Sequence, residues 1–235
     1  MFSFLNDQEF GAHRHDGFGR LYEGEHAGQL AGFSIIHDQH IDIAENDLQI
    51  RHGNIHPEIH GIQELKQRPK LIAMDTMNFW MDIAMPDLKI VLRYIDMLIV
   101  NDAEARQLTG MFSLVKAAKS IMAMGPKFLI IKKGEHGALL FHCDEVFYAP
   151  ALPLEDVFDP TGAGDTFAGG FMGHIAKTGD ISFENMKRGI IVGSAMASFC
   201  VEKFGPTRLK EITADDINTR LQQFKNLVSF DIELV

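Results

Sequence analysis

The chain has 235 residues, 46% of them hydrophobic, and a formal net charge of −10. That length suits one large domain with a sizeable core, while the acidic balance argues against a nucleic-acid surface. No apolar run approaches the roughly 18–20 residues that span a bilayer, so neither nucleic acid nor membrane is an expected partner.

The opening MFSFLNDQEFGAHRHDG lacks the basic-then-apolar pattern of a signal peptide. The only cysteines, Cys143 and Cys200, lie far apart without metal-type spacing. Both features point to a reduced, cytoplasmic setting.

Residues 1 to about 50 show little periodicity and are rich in His, Gln, Asp and Gly. Five histidines fall here (His13, His15, His26, His37 and His40), at spacings that match no familiar ligand pattern. The segment reads as solvated loop or poorly ordered chain, with short strands only at GFSII (32–36) and IDI (41–43).

From about residue 53 the pattern becomes regular. KLIAMD (70–75), DMLIVN (96–101) and KFLIIKKG (127–134) read as buried strands. DAEARQLTG reads as a short helix ending at Gly110. SLVKAAKSIMAMG (113–125) has Leu114, Val115, Ala118, Ile121 and Met122 at helical spacing, closed by Gly125. GALLFH and VFYAPA read as a hairpin around Cys143–Asp144, and helices are expected at about 165–177, 183–202 and 214–228. Thr213 and Asp216 are candidates to cap the last of these. Strands alternating with helices imply a mainly parallel central sheet with helices on both faces.

The most informative stretch is DPTGAGDTFAGGF (159–171). A turn of small residues entering a helix binds anions, because the first backbone N–H groups of a helix lack internal partners and the dipole adds partial positive charge. Gly162 and Gly164 let the backbone approach a phosphate without a Cβ clash. Asp165 is either the helix N-cap or a general base beside the bound anion.

Together with its neighbours this stretch resembles the C-terminal signature of the PfkB/ribokinase family, D-T-x-G-A-G-D-x-F. VNDAEARQLTG (100–110) resembles the family's N-x-x-E segment, and IKKGEHGALLF (131–141) its K-x-G-x-x-G strand–turn–strand. GSAMASFCVEKFG (193–205) resembles the helix and small loop that close over the adenine. The resemblance covers about residues 53–228 and implies a ribokinase-like α/β fold.

It also implies an ATP-dependent phosphotransferase that moves the γ-phosphoryl group to a hydroxyl of a small-molecule sugar or nucleoside. Asp165 would be the general base, and Gly162, Ala163 and Gly164 the anion hole. Asn101 and Glu104 would serve the Mg²⁺ and phosphate network through water. Read alone, that pair is a capping box on the helix after strand 96–101, and the two roles are compatible. Lys132, Gly134 and Gly137 would line the ATP phosphates or ribose, whereas KKGEHG alone reads as an ordinary hairpin turn with a lysine in solvent. Asp159 and Thr161 match positions near a monovalent-cation loop, with K⁺ the implied ion and backbone carbonyls around Cys200, Lys203 and Gly205 completing it. Pro160 replaces the signature's usual Thr. The N–H it removes precedes the anion hole, so phosphate binding is expected to survive.

Asp75 and Asn78, in AMDTMNFW, sit at a strand's carboxyl end, the ligand-binding edge of an open α/β sheet. The family's D-x-N is here D-x-x-N, a loose correspondence. Asn54 reads as a turn residue, and Phe79 and Trp80 as packing. Residues 1–50 contain no G-G-x-x-x-N, the family's glycine-pair motif, and the family's first strands and β lid are not recognised. The expected organisation is therefore a divergent or poorly ordered segment over 1–52 joined to a kinase domain over 53–235. A late or frame-shifted start, a fragment and a divergent substrate cap are the competing explanations. The alternative function is a truncated, non-catalytic remnant that binds nucleotide without an acceptor site. Relatives often form homodimers through the β lid.

Overall fold

The computed structural model describes residues 33–37, 40–41, 69–76 and 85–229. The strands are β1 (Phe33–His37), β2 (His40–Ile41), β3 (Leu71–Asp75), β4 (Met97–Asn101), β5 (Phe128–Lys132), β6 (Ala138–His142) and β7 (Glu145–Ala149). Helices α1 (Met85–Val91), α2 (Asp102–Thr109) and α3 (Leu114–Met122) precede β5, and α4 (Ala163–Thr178), α5 (Phe183–Cys200), α6 (Thr207–Glu211) and α7 (Ala214–Val228) follow β7.

The strands form one sheet in the order β2-β1-β3-β4-β5-β6-β7. β1, β3, β4 and β5 run parallel, and antiparallel strands finish both edges. The expected strands at 32–36 and 41–43 correspond to β1 and β2, and β1 pairs with β3 along four residues. The hairpin turns at Cys143, which takes a left-handed φ of 49°.

The apolar runs of β3, β4 and β5 are continuous because both faces of these strands are covered. Side chains alternate along a strand. Ile72, Met74, Leu98, Val100, Leu129 and Ile131 therefore pack on one side, with Leu88, Leu92, Leu108 and Ile121 of the α1–α3 layer. Leu71, Ala73, Met97, Ile99, Phe128 and Ile130 face the other side, against Phe167, Phe171, Ile175 and Ile190 of α4 and α5.

α4 and α5 approach closely through glycines. A Cβ on Gly193 would stand 2.7 Å from the Phe167 carbonyl oxygen, and one on Gly170 2.9 Å from Met196 Cγ. The expected close of α3 at Gly125 is corrected. The helix ends at Met122 with Ala123 as its cap, and two further turn bonds carry the chain to Gly125. A Cβ there would meet the Leu92 carbonyl at 2.2 Å, so Gly125 is kept for a backbone crossing rather than a cap. α1 and α6 are additional to the expected helices; each is short, seven and five residues, below the length at which periodicity is visible.

Candidate active site

The alternation that builds the core also builds the site. Asp75, Asn101 and Lys132 are the last residues of β3, β4 and β5. Counting by twos from Ala73, Ile99 and Ile130 puts all three on the α4 side, at the carboxyl edge of the parallel strands. Asn101 and Lys132 are register partners.

The N-terminus of α4 meets this edge. A Cβ on Gly164 would lie 3.3 Å from Lys132 Nζ. The turn into α4 depends on Gly162, whose φ of 79° and ψ of 0° fit the third position of a type II turn. Pro160 O closes that turn by accepting the Ala163 N–H at 3.2 Å, so the proline supplies an acceptor while its missing donor is not used. Thr166 N–H makes the first helical bond, to Gly162 O at 2.9 Å. Among the described residues, the N–H groups of Gly164 and Asp165 donate to no backbone acceptor outside the helix, and the cap residue offers no side-chain bond.

The N-cap reading of Asp165 is corrected. The cap is Gly162, and Asp165 is the third residue of the helix. Its carboxylate, half-buried, stands in the first turn, where the helix dipole favours negative charge.

Lys132 is not the solvent lysine of an ordinary hairpin. Its ammonium lies 2.9 and 3.0 Å from the two oxygens of Asp75, with only 19% and 6% of the two side chains exposed. Asp75 Oδ1 also accepts the Thr76 N–H at 3.1 Å.

The Asn101–Glu104 pair is a full capping box on α2. Asn101 Oδ1 accepts from Glu104 N at 2.8 Å, and Glu104 Oε2 accepts from Asn101 N at 2.7 Å. Thr76 Oγ1 adds a 3.3 Å bond to Glu104 Oε2. Glu104 is 2% exposed. Burial pushes its carboxyl above the ordinary value, opposed by the Asn101 N–H, the Lys132 charge and the Thr76 hydroxyl, while the negative charge of Asp75 adds to the rise. Two carboxylates and one ammonium thus share the edge.

The turn after β5 is a single 3₁₀ turn, Gly134–His136. Gly134 is exposed at its start, with a φ of 56°. Gly137 is buried with a φ of 84°, and a Cβ there would meet the Ala149 carbonyl at 2.0 Å, so both its backbone conformation and the close passage of β7 require glycine.

On the far side of the α4 turn, Asp159 Oδ1 accepts from Thr161 N at 3.0 Å. The N–H groups of Phe158 and Asp159 bond Val201 O, and Cys200 Sγ lies 3.7 Å from Thr161 O. Hydrogen bonds from Thr161, and more weakly from the Gly205 N–H, hold the Asp159 carboxyl below its usual value despite a small opposing cost of burial. Asp159, Thr161 and the Cys200–Gly205 loop are therefore brought together.

Asn54, Asn78, Phe79 and Trp80 lie outside the described residues. Thr76 is the site residue that motif reading passed over. Its signal was position alone, one residue beyond the end of a buried strand.

The chain matches the pfkB family carbohydrate kinase over residues 64–213 and belongs to that family. It is 38% identical over 88 residues to the cytidine kinase of Thermococcus kodakarensis, covering 36% of this chain and 31% of that protein. It is 37% identical over 98 residues to a nucleoside kinase of Methanocaldococcus jannaschii, covering 41% and 30%. Aminoimidazole riboside kinase from Salmonella enterica, solved with aminoimidazole riboside and an ATP analogue, superposes with a TM-score of 0.61 at 25% identity, covering 69% of this chain and 56% of that one. The matches span about a third of the curated relatives' length and about half of the solved chain's. The fold is the ribokinase-like one.

Among the described residues no group of three or more His, Cys, Asp and Glu side chains is placed to hold a metal ion, and no helix is long and apolar enough to cross a membrane. Mg²⁺ binds through few carboxylates, substrate phosphates and retained waters. The edge formed by Asp75, Asn101 and Glu104 fits that mode and not a closed protein cage.

Proposed function

We propose that the chain is an ATP-dependent kinase acting on a hydroxyl of a sugar or nucleoside. The observation that carries this reading is the convergence, at one sheet edge, of a basic side chain, two carboxylates and a helix N-terminus with open amides. Phosphoryl transfer asks a protein for positioning and charge stabilisation more than for covalent chemistry. Asp165 takes the proton of the acceptor hydroxyl as its oxygen bonds the γ-phosphorus and the bond to the departing ADP oxygen breaks. Gly162, Ala163 and Gly164 form the anion-hole turn, with the Gly164 and Asp165 N–H groups aimed at developing phosphoryl charge and the Ala163 N–H shared with Pro160. Lys132 with Gly134 and Gly137 makes the nucleotide side of the cleft.

Glu104 and Asn101 would hold Mg²⁺ through water, and the ion would supply neutralisation of phosphate charge. The loop of Asp159 and Thr161 is assigned to a monovalent cation, K⁺, which predicts a rate that rises when K⁺ replaces a large organic cation. We place the protein in the cytoplasm, where ATP is available and its thiols, Cys143 and Cys200, stay free.

The test is Asp165→Asn. Turnover should fall by about 10²–10⁴-fold, the usual worth of a general base, while calorimetric ATP binding is kept. Retained turnover would remove Asp165 from this role. The rival reading is a nucleotide-binding remnant without an acceptor site. Binding of ATP with no transfer to any member of a sugar and nucleoside panel would establish the remnant instead.

A further inference from the structure

Asp75 is buried, charged and at the carboxyl edge of β3, and beyond its place on that edge no step of the proposed transfer is assigned to it. It contacts the lysine assigned to the nucleotide, and that lysine's ammonium lies close to Gly164 at the start of α4. Lys132 Nζ donates to both Asp75 oxygens, at 2.9 and 3.0 Å. An ammonium has three N–H donors, so the third is left for another acceptor.

Gly164 faces the same nitrogen at near-contact distance, since a Cβ added to it would lie 3.3 Å away. Without Asp75, a largely buried cation would stand beside the positive end of a helix, a like-charge arrangement. A lysine stem is also long and entropically free, and a single point charge does not fix its own direction. A carboxylate that binds both through-space and by two hydrogen bonds removes the repulsion and sets the direction together.

We propose that Asp75 is a positioning residue: it holds the Lys132 ammonium at the N-terminus of α4 so that its remaining N–H and the Gly164 and Asp165 amides meet one phosphate group of the nucleotide. The inference rests on the phosphotransfer reading for the identity of the anion. It does not require that transfer be completed. Asp75 acts through Lys132 and touches no phosphate itself.

The experiment is a double-mutant cycle on the full chain, read by calorimetric titration with ATP in Mg²⁺ buffer. Lys132→Met should weaken ATP binding by about tenfold or more, the loss expected for a charge-assisted hydrogen bond. Asp75→Asn, nearly isosteric, should weaken it by a similar factor when Lys132 is present and by less than about twofold in the K132M background. Asp75→Glu keeps the carboxylate and should recover most of the affinity, although its extra methylene packs worse. A role in shape alone gives the reverse order, with Asn tolerated and Glu not. Melting temperatures of all variants separate lost affinity from lost fold, and Asp75→Glu still decides the matter should Asp75→Asn not fold. An Asp75→Asn effect that persists undiminished in the K132M background overturns the proposal, as does unchanged affinity in folded Asp75→Asn. ATP binding with this coupling but without phosphotransfer to any acceptor upholds the positioning role and sinks the kinase reading. No ATP binding by the unsubstituted chain sinks both.

Discussion

Glu104 shows how one side chain at this edge serves two demands that pull apart. As the third residue of a capping box it satisfies the Asn101 N–H, a contact worth about 1 kcal/mol in typical helices. As a carboxylate at 2% exposure it carries a desolvation cost, and burial raises its pKa. A carboxyl whose folded pKa lies above its unfolded value stabilises the fold fully below the unfolded pKa, and that contribution is lost as pH rises through the folded one. Glu104→Gln keeps an acceptor oxygen and removes the charge. Its melting temperature should therefore match the parent in acid below the unfolded pKa of a glutamate, exceed it increasingly as pH rises from there to the raised pKa of folded Glu104, and keep a constant lead above that. Turnover, where measurable, should fall by about 10–100-fold, as for other groups that orient metal and phosphate. A melting-temperature series against pH checks the first part. A parent that gains stability over Glu104→Gln with rising pH contradicts it.

At the scale of elements, the position of Asp165 is set by how α4 lies on the sheet and on α5. Phe167, Phe171 and Ile175 of α4 enter the core beside Ile99 and Ile130, and the two helices come together where Gly193 faces the Phe167 carbonyl. Alanine favours a helix over glycine by about 1 kcal/mol. At Gly193 the new methyl would stand 2.7 Å from a backbone oxygen, which no rotamer change relieves. Overpacking of this kind costs about 1–3 kcal/mol after partial relaxation. Gly193→Ala should therefore be destabilising despite its better propensity, lowering the melting temperature by a few degrees. Denaturant unfolding should show a lower midpoint at unchanged m-value. Since α4 would be displaced, catalysis should suffer more than ATP binding at temperatures where the variant stays folded.

At the scale of the whole molecule, most of the region from residue 69 onward was legible because its parallel strands are uniformly apolar and its turns end in residues of fixed chemistry. β3, β4 and β5 were read to within a residue or two, and the boxes at Asn101–Glu104 and Thr213–Asp216 both form. The Asp75–Lys132 pair was not legible. It joins residues 57 positions apart, and only the sheet order, which local patterns do not encode, makes β3 and β5 both flank β4. A second long-range cluster was hidden for the same reason. Arg220 of α7 bonds Ser198 Oγ at 2.6 Å, pairs with Glu202 and lies over the Phe199 ring at 4.0 Å, while Arg208 of α6 reaches the other Glu202 oxygen at 2.9 Å. These contacts pin the end of α5, and hence the 200–205 loop beside Asp159, to both following helices. Burial alone would raise the Glu202 pKa, but the hydrogen bonds and charges of Arg220 and Arg208 outweigh it and hold it below the ordinary value. The stability this represents is present above the unfolded pKa of a glutamate and is lost as pH falls through the lowered folded value. Arg220→Gln removes the stronger partner. At neutral pH it should cost about 1–3 kcal/mol, since Glu202 keeps Arg208 and a quarter of its surface in water. That difference from the parent should shrink steadily in acid, as Glu202 becomes protonated in both proteins. Melting curves of the two at matched pH values measure it directly, and a gap that stays constant down to the acid unfolding limit would show that Arg220 acts by packing on Phe199 and not through charge.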